Sequence, residues 1–261
     1  MADQMKTGPV LALWQAETVA GDTARAFDQI SRGARAAAGA GADVIVFPEL
    51  FLTGYEREDL ADLALGRDDF AARLGEIAAG AGVAICAGYP ERLADGLANA
   101  ALCVSATGEV LANHRKIQLY GEIEPRRFHP GTRYCQFELA GRQTSILICY
   151  DVEFAPHVAA LAAKGVEVIL VPTAAMHPFA HIGQHVVPAM AANHGVAIVY
   201  ANLCGSEAHL QFFGGSVIVD ADGQVAARAG ARPGMLLARL PAAHAEGIRS
   251  TQGCDYRPVT V

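Results

Sequence analysis

The chain has 261 residues, of which 52% are hydrophobic and 18% are charged, and its formal net charge is -7 at neutral pH. A chain of this length can bury a substantial core, and the composition is typical of a globular protein rather than a disordered one. The acidic balance and the lack of a basic stripe argue against nucleic acid or an anionic membrane as a partner, because phosphates need clustered lysines and arginines.

The sequence predicts a soluble, cytoplasmic protein. The opening MADQMKTGPVLALWQ contains no basic region followed by a long apolar core, and no apolar run elsewhere approaches the ~18 residues of a membrane span. No two cysteines form a CxxC motif, and we expect the thiols to be reduced. They are at positions 86, 103, 135, 149, 204 and 254.

Strands and helices alternate in the first third of the chain. A strand over VLALWQ precedes a helix over GDTARAFDQISRGARAAAGAG, which begins behind an aspartate suited to capping. The short apolar strand of ADVIVFPEL follows. A second helix over Asp68 to Ala79 and the strand GVAICAGYPE continue the pattern.

Antiparallel hairpins then enter the sheet. NAALCVSATGEVLANHRK predicts two strands joined by a turn at Ala106 to Gly108, and YCQFELAGRQTSILICY repeats this pattern around Ala140 and Gly141. A third hairpin is predicted for GSVIVDADGQVAAR, on Asp222 and Gly223.

The second half of the chain again pairs helices with strands. We expect a helix near Pro156 to Lys164, the strand VEVILVP, a helix around Gly183 to His194, and the strands VAIVYAN and GMLLARL. Alternating units interleaved with hairpins, with no low-complexity linker, predict one α/β domain over residues 1–261 with mixed sheets covered by helices.

Three polar residues lie where predicted apolar strands end. Cys149 ends SILIC before the polar turn YDVEF, Glu49 follows DVIVF, and Lys116 ends EVLANHRK. Ligands of α/β proteins gather at the carboxyl ends of strands, so these side chains can converge. A nucleophilic thiol needs an adjacent base or cation, which glutamate and lysine supply. Taken singly, the three also fit core packing, a solvated carboxylate and a surface lysine.

Other motifs give weaker signals. AAAGAGADV precedes a strand, whereas a dinucleotide-binding loop follows one, and G-x-S-x-G is missing. His177, His181 and His185 have a spacing that can hold zinc, but Pro178 and Gly183 interrupt the helix that it requires, so we expect no metal and assign these histidines to a pocket lining or to solvent. A cysteine–histidine pair is a further alternative, because the histidine can come from anywhere in the chain.

The stretches PELFLTGY, HRKIQLYGEIE and ICYDVEF, in that order, resemble the motifs of the nitrilase superfamily of carbon–nitrogen hydrolases. GYPER, RRFHPG, ILVPTA and VYANLCGSE extend the resemblance over nearly the whole chain. The chain looks most similar to aliphatic amidases, including the branch that cleaves 5-aminopentanamide and the stereoselective amidases. The resemblance implies a four-layer αββα sandwich with two mixed sheets that assembles into a homodimer or a larger homo-oligomer.

The resemblance also implies roles for individual residues. By carry-over, Glu49 is the general base, Lys116 the electrostatic stabiliser and Cys149 the nucleophile. The further active-site glutamate, which precedes F-x-P-G in the family, matches Glu124 best, with Glu122 as the rival.

Four more residues are expected to bind the substrate. Tyr55 and Phe179 are candidates for the pocket wall by residue type, and Ala174 lies in the family-like ILVPTA. The backbone N–H of Tyr150 is expected to join Lys116 in holding the oxyanion.

The chain departs from the family motifs FPExxR, PARAxEN and PTAN in three segments, which read FAPHVA, PAMAANH and PTAA. The replaced positions are Ala155, Pro156, Ala159, Ala175, Met190, Asn193 and His194. We expect lost polar partners of this kind to affect the substrate pocket, the helix that supports it or the oligomer interface more than the reaction class.

We therefore expect an amidase that hydrolyses a small aliphatic carboxamide to the acid and ammonia through a cysteine thioester, without a cofactor. Its expected partners are the small-molecule amide and further copies of itself. Two alternatives remain: an N-carbamoyl amine or nitrile hydrolase of the same superfamily, and a catalytically lapsed binding protein.

Overall fold

The computed structural model describes residues 8–242, 247, 250–257 and 259. The elements up to the middle of the chain are β1 Val10–Glu17, α1 Thr23–Gly39, β2 Val44–Val46, α2 Leu60–Leu63, α3 Arg67–Ala81, β3 Ala84–Leu93, β4 Gly96–Val104, β5 Val110–Arg115, α4 Glu124–Arg127, β6 Phe137–Leu139 and β7 Arg142–Ile146. A 3₁₀ helix then spans Cys149–Glu153.

The remaining elements are α5 Ala155–Ala163, β8 Val168–Thr173, α6 Val187–His194, β9 Ala197–Glu207, β10 Leu210–Phe213, β11 Val217–Val219, β12 Val225–Arg228, β13 Gly234–Arg239 and α7 Gln252–Asp255. A π-helical turn over Ile182–Val186 leads into α6.

The strands form two mixed sheets. In the first, β1, β2 and β3 are parallel neighbours, and antiparallel pairing adds β4 and β5 on one side and β13 on the other. In the second, β7, β8 and β9 are parallel, and β6, β11 and β12 extend them in antiparallel fashion. The ends of β1 and β9 pair in parallel, with Ala16 opposite Leu203, which joins the two sheets at one edge.

Three apolar clusters separate four layers. One fills the space between α1, α3 and the first sheet, with Phe27, Phe47 and Phe70 at its centre. The second lies between the two sheets, and the third packs the second sheet against α5 and α6. Strands buried on both faces read as continuous apolar runs, which explains the 52% hydrophobic content. The αββα sandwich expected from the sequence is confirmed.

The predicted helices and hairpins form with small shifts of their ends. Asp22 caps α1 by accepting a hydrogen bond from the backbone N–H of Arg25 at 2.9 Å. The strand β10, over LQFF, was not predicted, because its apolar residues are too few to indicate a strand without β9 beside it. In the described part of the chain, no helix is long and apolar enough to span a membrane.

Candidate active site

Glu49 lies just beyond β2, at the edge where the parallel strands of both sheets end. Its backbone N–H donates to the carbonyl of Thr173, at the end of β8, so the two sheets meet at this residue (N···O 3.3 Å). Gly88 of β3 makes the position possible, because a Cβ there would lie 2.5 Å from the carbonyl oxygen of Pro48 and 2.7 Å from the Cα of Glu49. Side chains do not tolerate contacts this short, so glycine lets the backbone of β3 approach that of Glu49.

Lys116 lies between two carboxylates. Its Nζ donates to Oε1 of Glu49 at 2.7 Å and to Oε1 of Glu124 at 2.8 Å, and the ammonium is fully buried. Asn99 of β4 also donates to Oε1 of Glu49 at 2.7 Å. The hydroxyl of Tyr55 donates to Oε1 of Glu124 at 2.7 Å. Because every one of these atoms is buried, the network holds its geometry without help from solvent.

The electrostatics of this network follow from burial of two anions around one cation. Burial raises the pKa of Glu49, the attraction of Lys116 opposes that rise, and the neighbouring Glu124 adds to it. Burial would lower the pKa of Lys116, but the two carboxylates outweigh it and raise that pKa above its usual value. Glu49 is therefore a carboxylate with an increased affinity for a proton, beside an ammonium that stays charged.

One oxygen of Glu49 is unused. Within the described residues, Oε2 is buried and has no hydrogen-bond partner. An unsatisfied buried carboxylate oxygen costs free energy and calls for an explanation. A base that must accept a proton from a reacting group needs such a free lone pair.

Cys149 occupies a strained backbone position at the start of the 3₁₀ helix. Its φ is +46°, in the left-handed region that non-glycine residues rarely adopt. Burial and then the negative charge of Glu49 raise the pKa of its thiol, while Lys116 and a hydrogen bond from the backbone of Ala174 act in the opposite direction. The thiol is therefore protonated at rest, within the electrostatic reach of the carboxylate and the ammonium.

Cys149 opens onto a cavity of about 290 Å³. Aromatic and apolar side chains make most of its wall, and Glu153 is its acidic member. The lining residues are Tyr55, Tyr120, Cys149, Tyr150, Glu153, Ala174, Ala175, Met176, Phe179, His181 and Ile182. A neighbouring cavity of about 300 Å³ shares Tyr55, Tyr120 and Met176 with it and extends toward Arg127 and His209. A cavity of this size suits a small organic molecule.

The structure brings the residues singled out from the sequence to this one place. Tyr55, Tyr150, Ala174 and Phe179 line the cavity, and Glu49, Lys116 and Glu124 form the hydrogen-bonded network beside it. Glu122, the rival of Glu124, instead lies at the surface and pairs with Arg126 at 3.5 Å.

Of the three spaced histidines, His181 lines the cavity, whereas His177 packs edge-on against Phe213. Among the described residues, no group of three histidine, cysteine or acidic side chains is arranged to hold a metal ion.

Four of the departures from the family motifs lie in two places. Ala175 lines the cavity, and its backbone N–H and carbonyl each form a hydrogen bond with the side-chain amide of Asn202. Asn202 therefore fixes the backbone at this position, although Ala175 has no side-chain amide. Ala159, Asn193 and His194 are outside the cavity, where they line a surface pocket between α5 and α6.

The thiols of Cys86, Cys103, Cys135 and Cys204 are free, as is that of Cys149. The side chain of Cys254 lies outside the described part of the chain.

Three polar residues at the site were not singled out from the sequence. Asp151 is fully buried and accepts hydrogen bonds from the backbone N–H groups of Ile148 and Gln118 at 3.0 and 2.7 Å. His114 hydrogen-bonds Oδ2 of this carboxylate, the oxygen that also accepts from Ile148, at 3.3 Å, and Asn99 donates to Glu49. In the sequence, each of these residues is a polar residue inside or next to an apolar run. This pattern is also common on solvated strand faces, so it does not identify a buried site residue.

A family profile described as carbon-nitrogen hydrolase matches residues 10–250. A hydrolase from the pqqF 5' region of Pseudomonas protegens is 39% identical over 204 residues, which are 76% of this chain and 72% of that protein. The glutamine-dependent NAD(+) synthetase of Xylella fastidiosa is 34% identical over 71% of this chain, but the match covers 35% of its own length.

Solved structures give a more extensive match. An amidase from Nesterenkonia sp. is 34% identical and superposes with a TM-score of 0.87 over 96% of this chain and 94% of its own. Variants of that amidase have been solved with acrylamide bound and with the acetamide moiety of fluoroacetamide added covalently at the active-site cysteine. This chain therefore belongs to the carbon–nitrogen hydrolase family of the nitrilase superfamily, whose members act on carbon–nitrogen bonds other than peptide bonds.

Proposed function

We propose that this protein is an amidase that hydrolyses a small aliphatic carboxamide to the carboxylic acid and ammonia. One observation carries the proposal: Lys116 is held between Glu49 and Glu124, and Cys149 opens from beside this network onto a cavity of about 290 Å³. The amidase from Nesterenkonia sp., solved with acrylamide and with butyramide, adds support because its fold is so similar.

In the first half-reaction, Glu49 takes the proton of the Cys149 thiol as the sulfur attacks the amide carbon. The new C–S bond leaves a negative charge on the carbonyl oxygen, which Lys116 and the backbone N–H of Tyr150 stabilise. Glu49 then gives its proton to the amide nitrogen. The C–N bond breaks, ammonia leaves, and a thioester on Cys149 remains.

In the second half-reaction, Glu49 acts again as a base. It removes a proton from water, and the hydroxide attacks the thioester carbon. When the C–S bond breaks, the carboxylic acid is released and the proton on Glu49 returns to the thiolate of Cys149. Glu124 keeps Lys116 in place through both steps and balances its charge.

The test is ammonia release from a panel of short amides, ω-amino amides, N-carbamoyl amines and nitriles, with wild type and the Cys149→Ala variant. Cleavage of amides by wild type alone supports the proposal. Release of carbon dioxide with ammonia would instead assign an N-carbamoyl amine hydrolase. Turnover of nitriles in preference to amides would assign a nitrilase, and no turnover of any compound would favour a binding protein.

Mass spectrometry of the protein during turnover tests the intermediate. The expected result is an adduct with the mass of the acyl group on Cys149, lost in the Cys149→Ala variant. Cys204 is the matched control, because its thiol is also free and is not part of the cavity wall. An adduct on Cys204 instead of Cys149 would contradict the mechanism.

We also propose that the protein self-associates and acts in a reducing compartment such as the cytoplasm. The surface pocket between α5 and α6 is lined on the α5 side by small residues, including Ala159, Ala160 and Ala163, which are suited to close helix packing. The free thiols are those expected where disulfides do not form. Light scattering on a size-exclusion column tests the first point, since a monomer would contradict it, and cell fractionation tests the second.

A further inference from the structure

Glu207 is a buried carboxylate at the end of β9 that the hydrolytic mechanism does not use. Its Oε2 accepts hydrogen bonds from the backbone N–H groups of Tyr55 and Glu56, at 2.8 and 3.1 Å. Its Oε1 accepts one from the hydroxyl of Thr18 at 3.0 Å. Although Tyr55 lies 152 positions earlier in the chain, Glu207 thus holds the backbone of a bend formed by residues 54–56.

The bend approaches Glu207 so closely that position 54 requires glycine. A Cβ on Gly54 would overlap with Oε1 of Glu207 and would lie 2.6 Å from Oγ1 of Thr18. The φ of Gly54 is +96°, a conformation that glycine adopts without strain. Close packing and hydrogen bonds therefore fix the bend against the carboxylate together.

The same bend holds the helix that carries Glu124. The hydroxyl of Tyr55 donates to Oε1 of Glu124 at 2.7 Å, and the side chain of Glu56 pairs with Arg127 at 3.2 Å. Glu124 and Arg127 are the first and last residues of α4. The bend therefore fixes α4 at both of its ends.

Glu207 itself lies behind the wall of the site. The described residues that line the two neighbouring cavities include Tyr55 and Glu124 but not Glu207. Because Glu124 accepts from Nζ of Lys116 at 2.8 Å, three successive hydrogen bonds lead from Glu207 to that ammonium. A shift of the bend would follow this path, and misplacement by about 1 Å can cost a factor of about 100 in rate.

We propose that Glu207 is a positioning residue for amide hydrolysis. It holds the bend at the place where the hydroxyl of Tyr55 meets Glu124. Through Glu124 it keeps the ammonium of Lys116 in the geometry that the oxyanion needs. The proposal rests on the amidase function above and adds to it a residue that acts through others.

Two substitutions separate geometry from charge. Glu207→Gln keeps the length of the side chain, so its amide oxygen can accept from both N–H groups of the bend while its NH2 group donates to the oxygen of Thr18. Glu207→Asp keeps the charge but is one methylene shorter, which withdraws its oxygens from the bend. In folded protein, kcat should stay within about threefold of wild type for Glu207→Gln and fall about 10- to 100-fold for Glu207→Asp. The opposite order would show that the charge matters and would overturn the inference.

A double-mutant cycle tests whether the effect passes through the Tyr55 hydroxyl. Tyr55→Phe removes this hydroxyl and leaves the backbone of the bend unchanged. In the Tyr55→Phe protein, Glu207→Asp should lower kcat by less than about threefold, because the group that it would misplace is already missing. If the two losses multiply instead, Glu207 acts only on stability and the inference is wrong.

Two further variants serve as a milder test and as a control. Thr18→Val removes only the donor to Oε1 of Glu207, so it should give a smaller loss of kcat with the same dependence on the Tyr55 hydroxyl. Glu17→Gln is the matched control for charge, because Glu17 is exposed at the end of β1, which pairs with β9. Its kcat should equal that of wild type.

Alkylation of Cys149 by iodoacetamide gives a readout that needs no turnover. Burial and Glu49 raise the pKa of the Cys149 thiol, and Lys116 opposes them, so displacement of the ammonium should slow the reaction of the thiol. The rate, followed by mass spectrometry of the peptide that contains Cys149, should fall in Glu207→Asp and stay near wild type in Glu207→Gln.

This readout separates failure of the inference from failure of the proposed function. Equal alkylation rates in wild type, Glu207→Asp and Glu207→Gln would refute the positioning role, even in a protein that hydrolyses amides. A wild type that hydrolyses no amide would refute the amidase function, while the order of the alkylation rates would still decide whether Glu207 positions the site.

Discussion

Asp151 ties the turn that carries Cys149 to the loop that carries Lys116. One oxygen of its carboxylate accepts hydrogen bonds from the backbone N–H groups of Ile117 and Gln118, directly after Lys116, at 3.0 and 2.7 Å. The other oxygen accepts from the N–H of Ile148, directly before Cys149, at 3.0 Å. A single buried carboxylate thus fixes the distance between the two chain segments whose side chains meet at the cavity.

Asp151→Asn should reduce activity and stability together. An amide nitrogen would face backbone N–H donors, and His114 would lose the anion beside it, so the free energy of unfolding should fall by about 3 kcal/mol or more. In the protein that remains folded, kcat should fall at least about 10-fold while KM changes little, because misplacement of reacting groups affects the chemical step. Urea unfolding and steady-state kinetics measure the two effects. Normal kcat in the folded variant would rule out the positioning role.

His114 should make stability depend on pH in the alkaline range. Burial would lower the pKa of its imidazole, but the hydrogen bond to Asp151 and the contact with Cys135 outweigh burial and raise the pKa to about 9. A histidine whose pKa is raised on folding stabilises the protein fully below the unfolded-state value of about 6.5 and loses that contribution as pH rises through the folded value.

The measurement is the free energy of unfolding of wild type and of His114→Gln between about pH 6 and about pH 9.5. The difference between the two proteins should shrink as pH increases, since His114 then loses its proton in both states. A constant difference over this range would show that the imidazole is neutral throughout.

Lys116→Ala should fold but react slowly. Loss of a donor to the developing oxyanion typically costs about 10²- to 10³-fold in rate. Without the ammonium, Glu49 and Glu124 would face each other as like charges, so the remaining activity should shift toward a more alkaline pH as the pKa of the pair rises. A pH–rate profile and circular dichroism check both points, and near-normal turnover would contradict the role given to Lys116.

Gly88→Ala should damage activity through the backbone of Glu49. The added methyl would contact Pro48, Glu49 and Leu50 at less than 3.0 Å, so the strand end must move. Gly80→Ala is the matched control, because nothing lies within 4 Å of a Cβ there, and alanine within α3 should stabilise the helix by up to about 1 kcal/mol. Kinetics of both variants should show a loss only for Gly88→Ala. Equal activity of the two would show that the contact is relaxed elsewhere.

Glu153→Gln should stabilise the protein above neutral pH. The folded pKa of Glu153, about 7, lies above the usual value, so its charged form destabilises the folded state. This destabilisation is absent below about pH 4.5, where the carboxyl is protonated in both states, and reaches its full size above pH 7. Allowing for partial exposure, removal of the charge should add about 1–2 kcal/mol at pH 8, or about 2–6 °C in Tm. Thermal unfolding at pH 4.5 and pH 8 tests this. A gain of the same size at both values would point to a cause other than charge.

The periodicity of the sequence was sufficient to predict most of the helices, strands and hairpins, whereas the four-layer sandwich was implied by the resemblance to the nitrilase superfamily. Continuous apolar runs such as VEVILVP and the turn at Asp222 and Gly223 carry their information locally, and both form as predicted. The residues that hold the site depend on long-range partners instead. Asn99 meets Glu49 across 50 positions, and Asp151 meets Ile117 across 34. No local pattern identifies such a pair, so Asp151 and His114 were found only in the structure.

The choice between Glu124 and Glu122 also depended on information that no local sequence pattern contains. The motif favoured Glu124 but left Glu122 as a rival, because the two are the same residue type and lie two positions apart. Three-dimensional packing separates them, because Glu124 contacts Lys116 while Glu122 points to solvent.

The protonated resting state of Cys149 also affects how the protein survives oxidants. Peroxide attacks thiolates far more readily than thiols, and the first product, a sulfenic acid, can proceed to irreversible forms. Because burial and then the negative charge of Glu49 raise the pKa of this thiol, the sulfur of the resting protein is a poor nucleophile. In the proposed mechanism, the surroundings that activate the cysteine during turnover thus leave it protonated between catalytic cycles, and the protein should resist peroxide best when no substrate is bound.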